Sequence, residues 1–562
     1  MQHIFLGKFT EEHKNESHQQ FVAMVLAQFE GSQRKEINGL LERGVFQYVE
    51  EEDIPPGTRI FTARFVNDVK NKGTDKAFEK SRLVVQAYND EGKEYVLTQS
   101  PTIQRASQRI ILCFAATMKY VCCYIRDVTQ AYIQSTTKLN RDFYIRITPE
   151  LAQYFPGGTF LKVVRPLYGI PEAGNHWFRT YHNHHMEKLK METSTYDPCL
   201  LHCSNPKQGF GIVGMQTDDT LIVADNAFAV REEEEIRRAN ILCKPREELT
   251  TENPLKFNGA VVTETAQGIT LTQKRTCSHI RLVQDQPADT TNSRGKVRKD
   301  ATPREQYVAQ RALGAYIASM SQPEASFDLS YAAQTTDPQE DDIKALNKRL
   351  QWQLNNPERG LRFVKLDMQT LRLIAFVDAS FANNKDYSSQ LGYVIVLADE
   401  ANNANILHWS STKCKRITRS VLGSETYALA NGFDAAATIK STLTQLLHLT
   451  EPLPLIVCTD SKSLYECLVK LGTTHEKRLM IDLMCLRQSY ERQEITEVKW
   501  IDGDSNPADA MTKNKPCRAL QELIDTNKLH INVDGWVERP ATAHSPEPKA
   551  VRFATPLESP KQ

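Results

Sequence analysis

Two apolar segments meet at a pair of adjacent carboxylates in residues 208–226 (QGFGIVGMQTDDTLIVADN). Apolar runs of this length are typical of β-strands, so the segment predicts a hairpin with Asp218 and Asp219 at its tip. A two-residue hairpin turn favours Asn-Gly or Asp-Gly, because its central residues need positive φ angles. Two adjacent acids are unsuited to that turn, and their charges repel unless a divalent cation binds between them. An ordinary surface turn is the alternative interpretation of the pair taken alone.

The length and composition are typical of a globular protein with several domains. The 562 residues are 40% hydrophobic and 25% charged, and they suffice for about three or four domains. Basic and acidic residues number 69 each, so net charge gives no support for nucleic-acid binding, which has to depend on local patches. Two such basic patches are residues 294–299 (RGKVRK) and 413–419 (KCKRITR).

Membrane and secretion signals are not found in the sequence. No apolar stretch is long enough to span a bilayer, and the first residues lack the layout of a signal peptide, so we expect no membrane partner. The twelve cysteines have neither CxxC nor Cys/His zinc spacing, which predicts reduced thiols in an intracellular protein.

The pattern of secondary structure changes at a polar stretch, residues 285–306, which we interpret as a linker or long loop. Before it, helical and strand segments alternate, beginning with a helix at 33–45 and strands at 59–66 and 82–88. Directly after it, residues 307–355 have the apolar spacing of helices.

A second α/β pattern begins near Leu371. Helices are predicted between its third and fourth strands, between the fourth and fifth, and after the fifth. The five predicted strands are 371–377, 391–398, 406–411, 454–459 and 496–501. From about Glu538 the chain is rich in Pro, Ala and Ser, which indicates disorder.

Four acids lie at the ends of elements in this second pattern. Asp378 ends the first strand, and Asp460 ends the fourth strand at a natural helix N-cap. Asp509 follows an Asn-Pro dipeptide, which suits an N-cap and the first helical position, so Asp509 belongs to the first turn. Glu425 is predicted to point toward the sheet, because it shares a helical face with small and apolar residues. These residues are Ala428, Leu429, Gly432 and Ala436.

Such acids, if buried together, require compensation. Buried carboxylates without partners cost several kcal/mol each. Two Mg²⁺ ions about 3.5–4 Å apart would compensate the charge and hold the attacking and leaving oxygens of a phosphodiester. Each acid taken singly is better explained as a helix cap or a surface group. The ordered set of four, on a five-strand pattern, indicates metal-dependent chemistry.

The second pattern resembles the ribonuclease H of copia-type LTR retrotransposon polyproteins. The matching blocks are, in order, FVDASFANN, SQLGYVIVL, HWSSTKCKRITRSVLGSETYAL, CTDSKSL and NPADAMTK. Residues 30–285 are similar to the reverse transcriptase of the same elements, in the blocks EKSRLVVQAYND, LTQSPTIQRASQRIILCFAA, RDVTQAYIQS, RPLYGIPEAGNHWF and MQTDDTLIVAD. The segments FDLSYAAQ and LNKRLQWQL resemble the connection between the two enzymes.

The resemblance implies a role for each acid. Asp127, which closes the apolar run VCCYIRDV, resembles the first polymerase carboxylate, and Asp218 and Asp219 resemble the hairpin pair. The expected cofactor is Mg²⁺ or Mn²⁺, with two ions at each active site. The expected ribonuclease H ligands are Asp378, Glu425, Asp460 and Asp509.

The resemblance also implies four nucleotide-binding residues. Tyr132 matches the aromatic position that contacts the deoxyribose and excludes a 2′-OH, and a core tyrosine is the alternative. Lys80 and Arg82 match a basic pair that reaches the triphosphate, and an exposed basic strand is the alternative. Glu172 occupies the place where the commoner form of its block has Gln, a residue implicated in nucleotide binding. In a second departure, Gln216-Thr217 precedes the paired acids where the family usually has Tyr-Val.

The predicted fold class is α/β and α+β multidomain. A palm/fingers/thumb-type reverse transcriptase is followed by an RNase H-like mixed five-stranded sheet with flanking helices. The expected parts are an N-terminal segment (1–29), the reverse transcriptase (30–285), a polar linker and helical connection (286–365), the RNase H-like domain (366–530) and a disordered Pro-rich tail (531–562).

The expected function is RNA-directed DNA polymerase with RNase H activity. Its partners would be an RNA template, a DNA primer, the RNA–DNA hybrid and deoxynucleoside triphosphates. Protease and integrase motifs are not found in the sequence, so we expect the chain to be the C-terminal part of a polyprotein whose other parts are partners. The expected location is a cytoplasmic virus-like particle, with nuclear entry of the complex. The alternatives are an inactive or host-adapted remnant that binds nucleic acid or protein, and a chain in which RNase H alone is active.

Overall fold

The structure is a computed structural model that describes residues 18–70, 75, 77–205, 209–470, 474 and 476–538. Side chains are described from residue 28 to residue 535 within these ranges. The chain divides into two compact units, Met1–Leu271 and Thr272–Gln562. The predicted domain boundaries stay predictions, and residues 1–17 of the predicted N-terminal segment lie outside the described residues.

Helices and strands alternate in the first unit. Its helices are α1 (His18–Glu42), α2 (Arg105–Thr117), α3 (Pro149–Ala152), α4 (Ala173–Glu187) and α5 (Asn226–Arg238). Its strands are β1 (Phe46–Val49), β2 (Ile60–Lys70), β3 (Phe78–Val85), β4 (Cys122–Asp127), β5 (Phe143–Arg146), β6 (Phe160–Val163), β7 (Met191–Thr193), β8 (Leu200–Cys203), β9 (Gly211–Gln216), β10 (Asp219–Ala224), β11 (Glu247–Glu248), β12 (Leu255–Phe257), β13 (Ala260–Thr265) and β14 (Gly268–Thr272).

Two sheets of the first unit carry the residues of interest. A five-stranded sheet has the order β1-β6-β5-β2-β3, and its core includes Ile37 and Leu40 of α1. A six-stranded sheet has the order β11-β4-β10-β9-β8-β7, with the predicted hairpin, β9 and β10, at its centre. Strands β9 and β10 are buried over nearly their whole length, because α2 and α5 both pack against β10. Strands that are buried on both faces have continuous apolar sequences and lack an alternation of apolar and polar residues, as these two strands do.

The second unit begins with short elements and then forms a large sheet. Its helices are α6 (Lys274–Cys277), α7 (Pro303–Met320), α8 (Ser326–Ala332), α9 (Glu340–Asn355), α10 (Val421–Leu446), α11 (Lys462–Val469), α12 (Leu479–Glu491) and α13 (Arg518–Thr526). Its strands are β15 (Ala288–Thr291), β16 (Val297–Ala301), β17 (Leu361–Phe363), β18 (Arg372–Ser380), β19 (Gln390–Ala398), β20 (Ala404–Lys413), β21 (Leu455–Thr459), β22 (Glu497–Ile501) and β23 (Val533–Glu538).

The large sheet is mixed and has the order β20-β19-β18-β21-β22-β23. Strand β18 pairs antiparallel with β19 and parallel with β21, which itself pairs parallel with β22. All five predicted strands are present, and the predicted fold class is confirmed. The expected number of five strands is wrong, because β23 adds a sixth at the edge of β22.

The strand β23 also corrects the predicted tail. Residues 533–538 pair antiparallel with β22, so disorder from residue 531 is wrong for this segment. Its sequence, VDGWVE, gives little strand signal by itself, and the free edge of β22 supplies the hydrogen-bonding partners. Residues 539–562 lie outside the described residues.

The polar stretch at 285–306 is a second correction. Strands β15 and β16 form an antiparallel hairpin where a linker or long loop is predicted. Polar side chains of α7 satisfy this ribbon: Gln310 Nε2 donates to Thr290 Oγ1 at 2.8 Å, and Gln306 Nε2 donates to Ala301 O at 2.8 Å. The strands are therefore held by long-range hydrogen bonds and lack the apolar alternation that marks a strand in sequence.

Helix α10 packs closely on the large sheet, as its small face predicts. Glu425, Ala428 and Gly432 are among its buried residues. A Cβ atom on Gly432 would lie 2.6 Å from Cγ1 of Val377, so only glycine permits this approach to β18. Across the described part of the chain, no helix is long and apolar enough to cross a membrane.

Candidate functional site

Three carboxylates of the first unit meet at one end of β4, β10 and the turn between β9 and β10. Asp127 ends β4 and pairs with Asp219, the first residue of β10. The backbone N–H of Val128 donates to Asp218 O at 2.9 Å, which fixes the turn to the end of β4. The structure therefore brings together all three acids to which the sequence assigns polymerase roles.

The turn itself differs from the prediction by one residue. Asp219 pairs with Gln216, so the tip consists of Thr217 and Asp218 and not of the two acids. Thr217 has φ 56°, a left-handed conformation that is rare for a β-branched residue. The turn preferences of individual residues therefore do not decide the register here, because the strand pairing with β4 does.

Burial and the neighbouring negative charges disfavour the charged forms of Asp218 and Asp219, whose pKa values are raised. Burial, followed by the charges of Asp218 and Asp127, raises the pKa of Asp219 to about 7. Burial also raises the pKa of Asp218, with a further contribution from Asp127. Lys244 forms an ion pair with Asp127 Oδ2, and its backbone N–H donates to Asp127 O at 2.9 Å. One lysine thus offsets part of the negative charge of the cluster.

Lys80 and Arg82 lie near this cluster on β3. Their charges lower the pKa of Asp218 against the effect of its burial. The charge of Asp127 raises the pKa of Lys80, whose burial lowers it. Both side chains are half-buried.

Tyr132 faces the same cluster from a short 3-10 helix, Ala131–Gln134. Its ring centroid is 5.0 Å from that of Tyr168, and Arg82 lies over the Tyr168 ring at 5.3 Å. Burial and the charge of Asp218 raise the pKa of Tyr132. Tyr132 also packs against the core of the five-stranded sheet. The predicted role beside the acids and the alternative of a core tyrosine are therefore compatible.

Glu172, whose contact with a nucleotide stays a prediction, is held by an arginine side chain. Its side chain is 1% exposed, and Oε2 accepts from Arg141 Nη2 at 2.8 Å. Arg141 also donates from Nη1 to Asp90 Oδ1 at 2.9 Å, so the three residues form a closed ionic cluster. A carboxylate that replaces an amide at this position is thus compensated by Arg141.

A second cluster of carboxylates lies in the second unit. Asp378 is on β18, Asp460 directly follows β21, and Asp509 is in a 3-10 helix, Pro507–Met511. One carboxylate oxygen from each of these three lies within 4.8 Å of the others. Glu425 faces them from α10, since the charges of Asp378 and Asp460 both raise its pKa after burial.

The caps near this cluster are partly those predicted. Asn506 is the N-cap before Pro507, and its side chain accepts from Ala508 N at 3.1 Å. Asp460 is not an N-cap, which corrects the prediction: the neighbouring Ser461 accepts from Leu464 N and caps α11. The carboxylate of Asp460 is therefore free of a capping role and faces the cluster.

The second cluster is more deeply buried than the first. Asp378 is 2% exposed, and burial, with Asp509 and Asp460, raises its pKa to about 7. Glu425 is 5% exposed, and its Oε2 has no hydrogen-bond partner among the described residues. Lys513 Nζ lies 2.6 Å from Asp509 Oδ1 and 3.6 Å from Asp378 Oδ2, and Thr512 Oγ1 donates to Asp378. One lysine and one hydroxyl do not compensate four acids.

The second cluster suits divalent cations that prefer oxygen ligands, whereas the acids of the first cluster do not bring their carboxylate oxygens as close together. The acidic groups of the second cluster are carboxylates alone, and the orphaned Glu425 Oε2 is a ligand atom without a partner among the described residues. Sequence reasoning missed Lys244, Thr512 and Lys513. Lys513 follows Asp509 by one helical turn within the block NPADAMTK and was detectable, whereas nothing in the sequence links Lys244 to Asp127.

Comparison with known proteins finds similarity to reverse transcriptases. Residues 45–297 match the sequence model of the reverse transcriptase (RNA-dependent DNA polymerase) family. The retrovirus-related Pol polyprotein from transposon RE1 of Arabidopsis thaliana is 26% identical over 482 residues, which cover 83% of this chain and 31% of that protein. By similarity, residues 45–297 form a reverse transcriptase domain, and the chain resembles retrotransposon Pol polyproteins. The predicted family is therefore confirmed.

A yeast transposon protein is also similar in sequence to this chain. The transposon Ty1-NL2 Gag-Pol polyprotein of Saccharomyces cerevisiae is 22% identical over 552 residues, covering 88% of this chain and 28% of that protein. The chain thus spans about three tenths of the length of these relatives.

Two solved structures resemble the chain in fold alone. A foamy viral protease-reverse transcriptase in complex with double-stranded DNA has a TM-score of 0.48 and 12% identity, covering 82% of this chain and 68% of that one. LC11-RNase H1, isolated from compost, has a TM-score of 0.20 and 19% identity, covering 27% of this chain and 96% of that one.

Proposed function

We propose that the chain is an RNA-directed DNA polymerase and a ribonuclease H, with one active site in each unit. The observation that carries the proposal is the presence of two separate carboxylate clusters, one of them inside a reverse transcriptase domain. Buried acids with raised pKa values are typical of functional sites. In the second unit Asp378 lies two residues before the end of β18, in a mixed six-stranded sheet.

Each site is proposed to hold two Mg²⁺ or Mn²⁺ ions. Asp127, Asp218 and Asp219 would bind them in the first unit, and Asp378, Glu425, Asp460 and Asp509 in the second. When bound, the ions activate the attacking oxygen and stabilise charge on the leaving oxygen of a phosphodiester or triphosphate. The raised pKa values of Asp219 and Asp378 support this assignment, because bound cations would favour the charged carboxylates.

The basic and aromatic residues of the first unit are proposed to bind the incoming nucleotide. Lys80 and Arg82 carry positive charge beside Asp218, where a triphosphate would bring negative charge. Tyr132, next to the same acid, would contact the deoxyribose and leave no room for a 2′-OH. Glu172 would have to leave its ion pair with Arg141 to contact the nucleotide with its carboxylate.

The proposed substrates and partners follow from these roles. The polymerase site would take an RNA template, a DNA primer and deoxynucleoside triphosphates, and the second site would take the RNA–DNA hybrid. The relatives are Pol and Gag-Pol polyproteins. We therefore propose integrase and protease parts of such a polyprotein as further partners, with a cytoplasmic virus-like particle as the location and nuclear entry of the complex.

Two assays on the same preparation test the proposal. The unmodified chain should extend an oligo(dT) primer on poly(rA) in the presence of Mg²⁺ or Mn²⁺, and it should cleave the RNA of a labelled hybrid. Asp218→Asn should abolish extension and leave cleavage intact, because Asp218 belongs to the first cluster alone. The absence of metal-dependent extension by the unmodified chain would contradict the polymerase proposal. Cleavage that persists alone would favour a chain in which only RNase H is active.

A further inference from the structure

The turn that carries Asp218 is held in an unfavourable conformation. Thr217 has φ 56°, and a β-branched residue adopts this region only where its surroundings enforce it. The backbone on either side of Thr217 leads directly to strand residues, Gln216 on β9 and Asp219 on β10. A relaxed turn would therefore move the carboxylates of Asp218 and Asp219.

Helix α4 makes two hydrogen bonds to residues that flank the acids. Trp177 Nε1 donates to Thr217 O at 2.7 Å. One helical turn further, the hydroxyl of Tyr181 lies 3.2 Å from Thr220 Oγ1, just beyond Asp219. Both aromatic residues are 1% exposed, and their rings stack with centroids 5.0 Å apart and an interplanar angle of 17°. The stacked pair thus directs two polar atoms, Trp177 Nε1 and the Tyr181 hydroxyl, toward the hairpin.

The second hydrogen bond continues to β4. Thr220 Oγ1 donates to Arg126 O at 3.3 Å, one residue before Asp127. Arg126 is itself fixed, because its guanidinium donates to both carboxylate oxygens of Glu232 at 2.7 and 2.5 Å. A continuous set of contacts thus joins α4 to all three acids through the backbone next to each of them.

We propose that Trp177 and Tyr181 are positioning residues, which hold the strained Thr217–Asp218 turn and so set the geometry of the carboxylates for metal binding. The inference rests on the proposed function, since it assigns metal ligation to Asp127, Asp218 and Asp219. Both aromatic residues are buried, and the proposal assigns neither of them a contact with substrate. Residues that orient ligands from behind in this way affect metal affinity about 10- to 100-fold.

Metal affinity of the full chain tests the proposal without an activity measurement. Mn²⁺ binding is measured by electron paramagnetic resonance in a background with Asp378→Asn and Asp460→Asn, which disables the second cluster. Trp177→Phe keeps an aromatic ring on Tyr181 but removes the donor, and it should weaken Mn²⁺ binding about tenfold. Tyr181→Phe removes only the hydroxyl and should weaken binding in the same direction.

The matched control removes a buried indole donor in the second unit. Trp409 Nε1 donates to Ser326 Oγ at 3.1 Å, and Trp409→Phe should leave Mn²⁺ binding unchanged. Unchanged Mn²⁺ affinity in both Trp177→Phe and Tyr181→Phe would overturn the proposal, and so would an equal loss in Trp409→Phe.

A rescue experiment separates positioning from general stability. Thr217→Gly should restore Mn²⁺ affinity in the Trp177→Phe chain, because glycine adopts positive φ without strain. A double variant as weak as Trp177→Phe alone would overturn the strain argument. Loss of Mn²⁺ affinity in Trp177→Phe supports the positioning role even if the unmodified chain extends no primer. Primer extension with unchanged affinity in both single variants supports the polymerase and refutes the positioning role.

Discussion

Replacing Asp378 with asparagine is predicted to stabilise the metal-free chain. The side chain is 2% exposed, and burial with the neighbouring acids raises its pKa from 3.8 to about 7. A displacement of this size in pKa corresponds to about 4 kcal/mol between the charged and neutral forms. Asparagine has the same shape without the charge, and its side-chain oxygen can accept the hydrogen bond from Thr512.

The sign of the pH dependence follows from the same pKa. The folded pKa of Asp378 lies above that of an unfolded aspartate, so the folded state binds the extra proton between about pH 4 and about pH 7. The free energy of unfolding therefore falls as the pH rises through this window. At pH 8 the variant should gain up to about 4 kcal/mol over the unmodified chain, and at pH 4 the two should be nearly equal.

Urea titration in EDTA, followed by tryptophan fluorescence, measures this difference. Of the 5 tryptophans only Trp177 lies in the first unit, so the signal reports mainly on the second. The control is Asp341→Asn, an exposed acid on α9, which should change the free energy of unfolding by less than about 0.5 kcal/mol. A variant less stable than the unmodified chain at pH 8, or an equal gain at both pH values, would refute the reasoning.

Three further predictions concern stability. Arg126→Met should cost about 3–5 kcal/mol, because it leaves the buried Glu232 without its partner, and thermal unfolding by circular dichroism measures the loss. Burial lowers the pKa of His185 to about 3, so the folded first unit should lose about 3 kcal/mol as the pH falls from 7 to about 4.5. His185→Leu should flatten this dependence in urea titrations, and an unchanged slope would contradict the assignment. Mg²⁺ at about 100 times its dissociation constant should raise the free energy of unfolding by about 3 kcal/mol, and Asp378→Asn should reduce this gain.

The sequence predicts the large sheet and the positions of its acids well, because both signals are local. Apolar runs mark strands β18, β19 and β21. Asp460 directly follows β21, as predicted, whereas β18 continues two residues beyond Asp378. The small face of α10 likewise predicts that Glu425 points inward, which its 5% exposure bears out. Local pattern and tertiary packing agree in this part of the chain.

Features that depend on a distant partner are not predictable in this way. Lys244 meets Asp127 across 117 residues, and Glu172 meets Arg141 across 31, without any periodic signal between them. Strand β23 forms because β22 offers an edge, and β15 forms because α7 supplies glutamine side chains. The one-residue difference at the Thr217–Asp218 turn has the same origin, since pairing with β4 overrides local turn preference.

The most direct test of the two-site account is a reciprocal pair of variants in the full chain. Asp218→Asn and Asp460→Asn are each assayed for primer extension and for hybrid cleavage at saturating Mg²⁺. The account predicts that Asp218→Asn loses extension and retains cleavage, whereas Asp460→Asn retains extension and loses cleavage. Loss of both activities in either variant, with circular dichroism showing an intact fold, would contradict two independent metal sites.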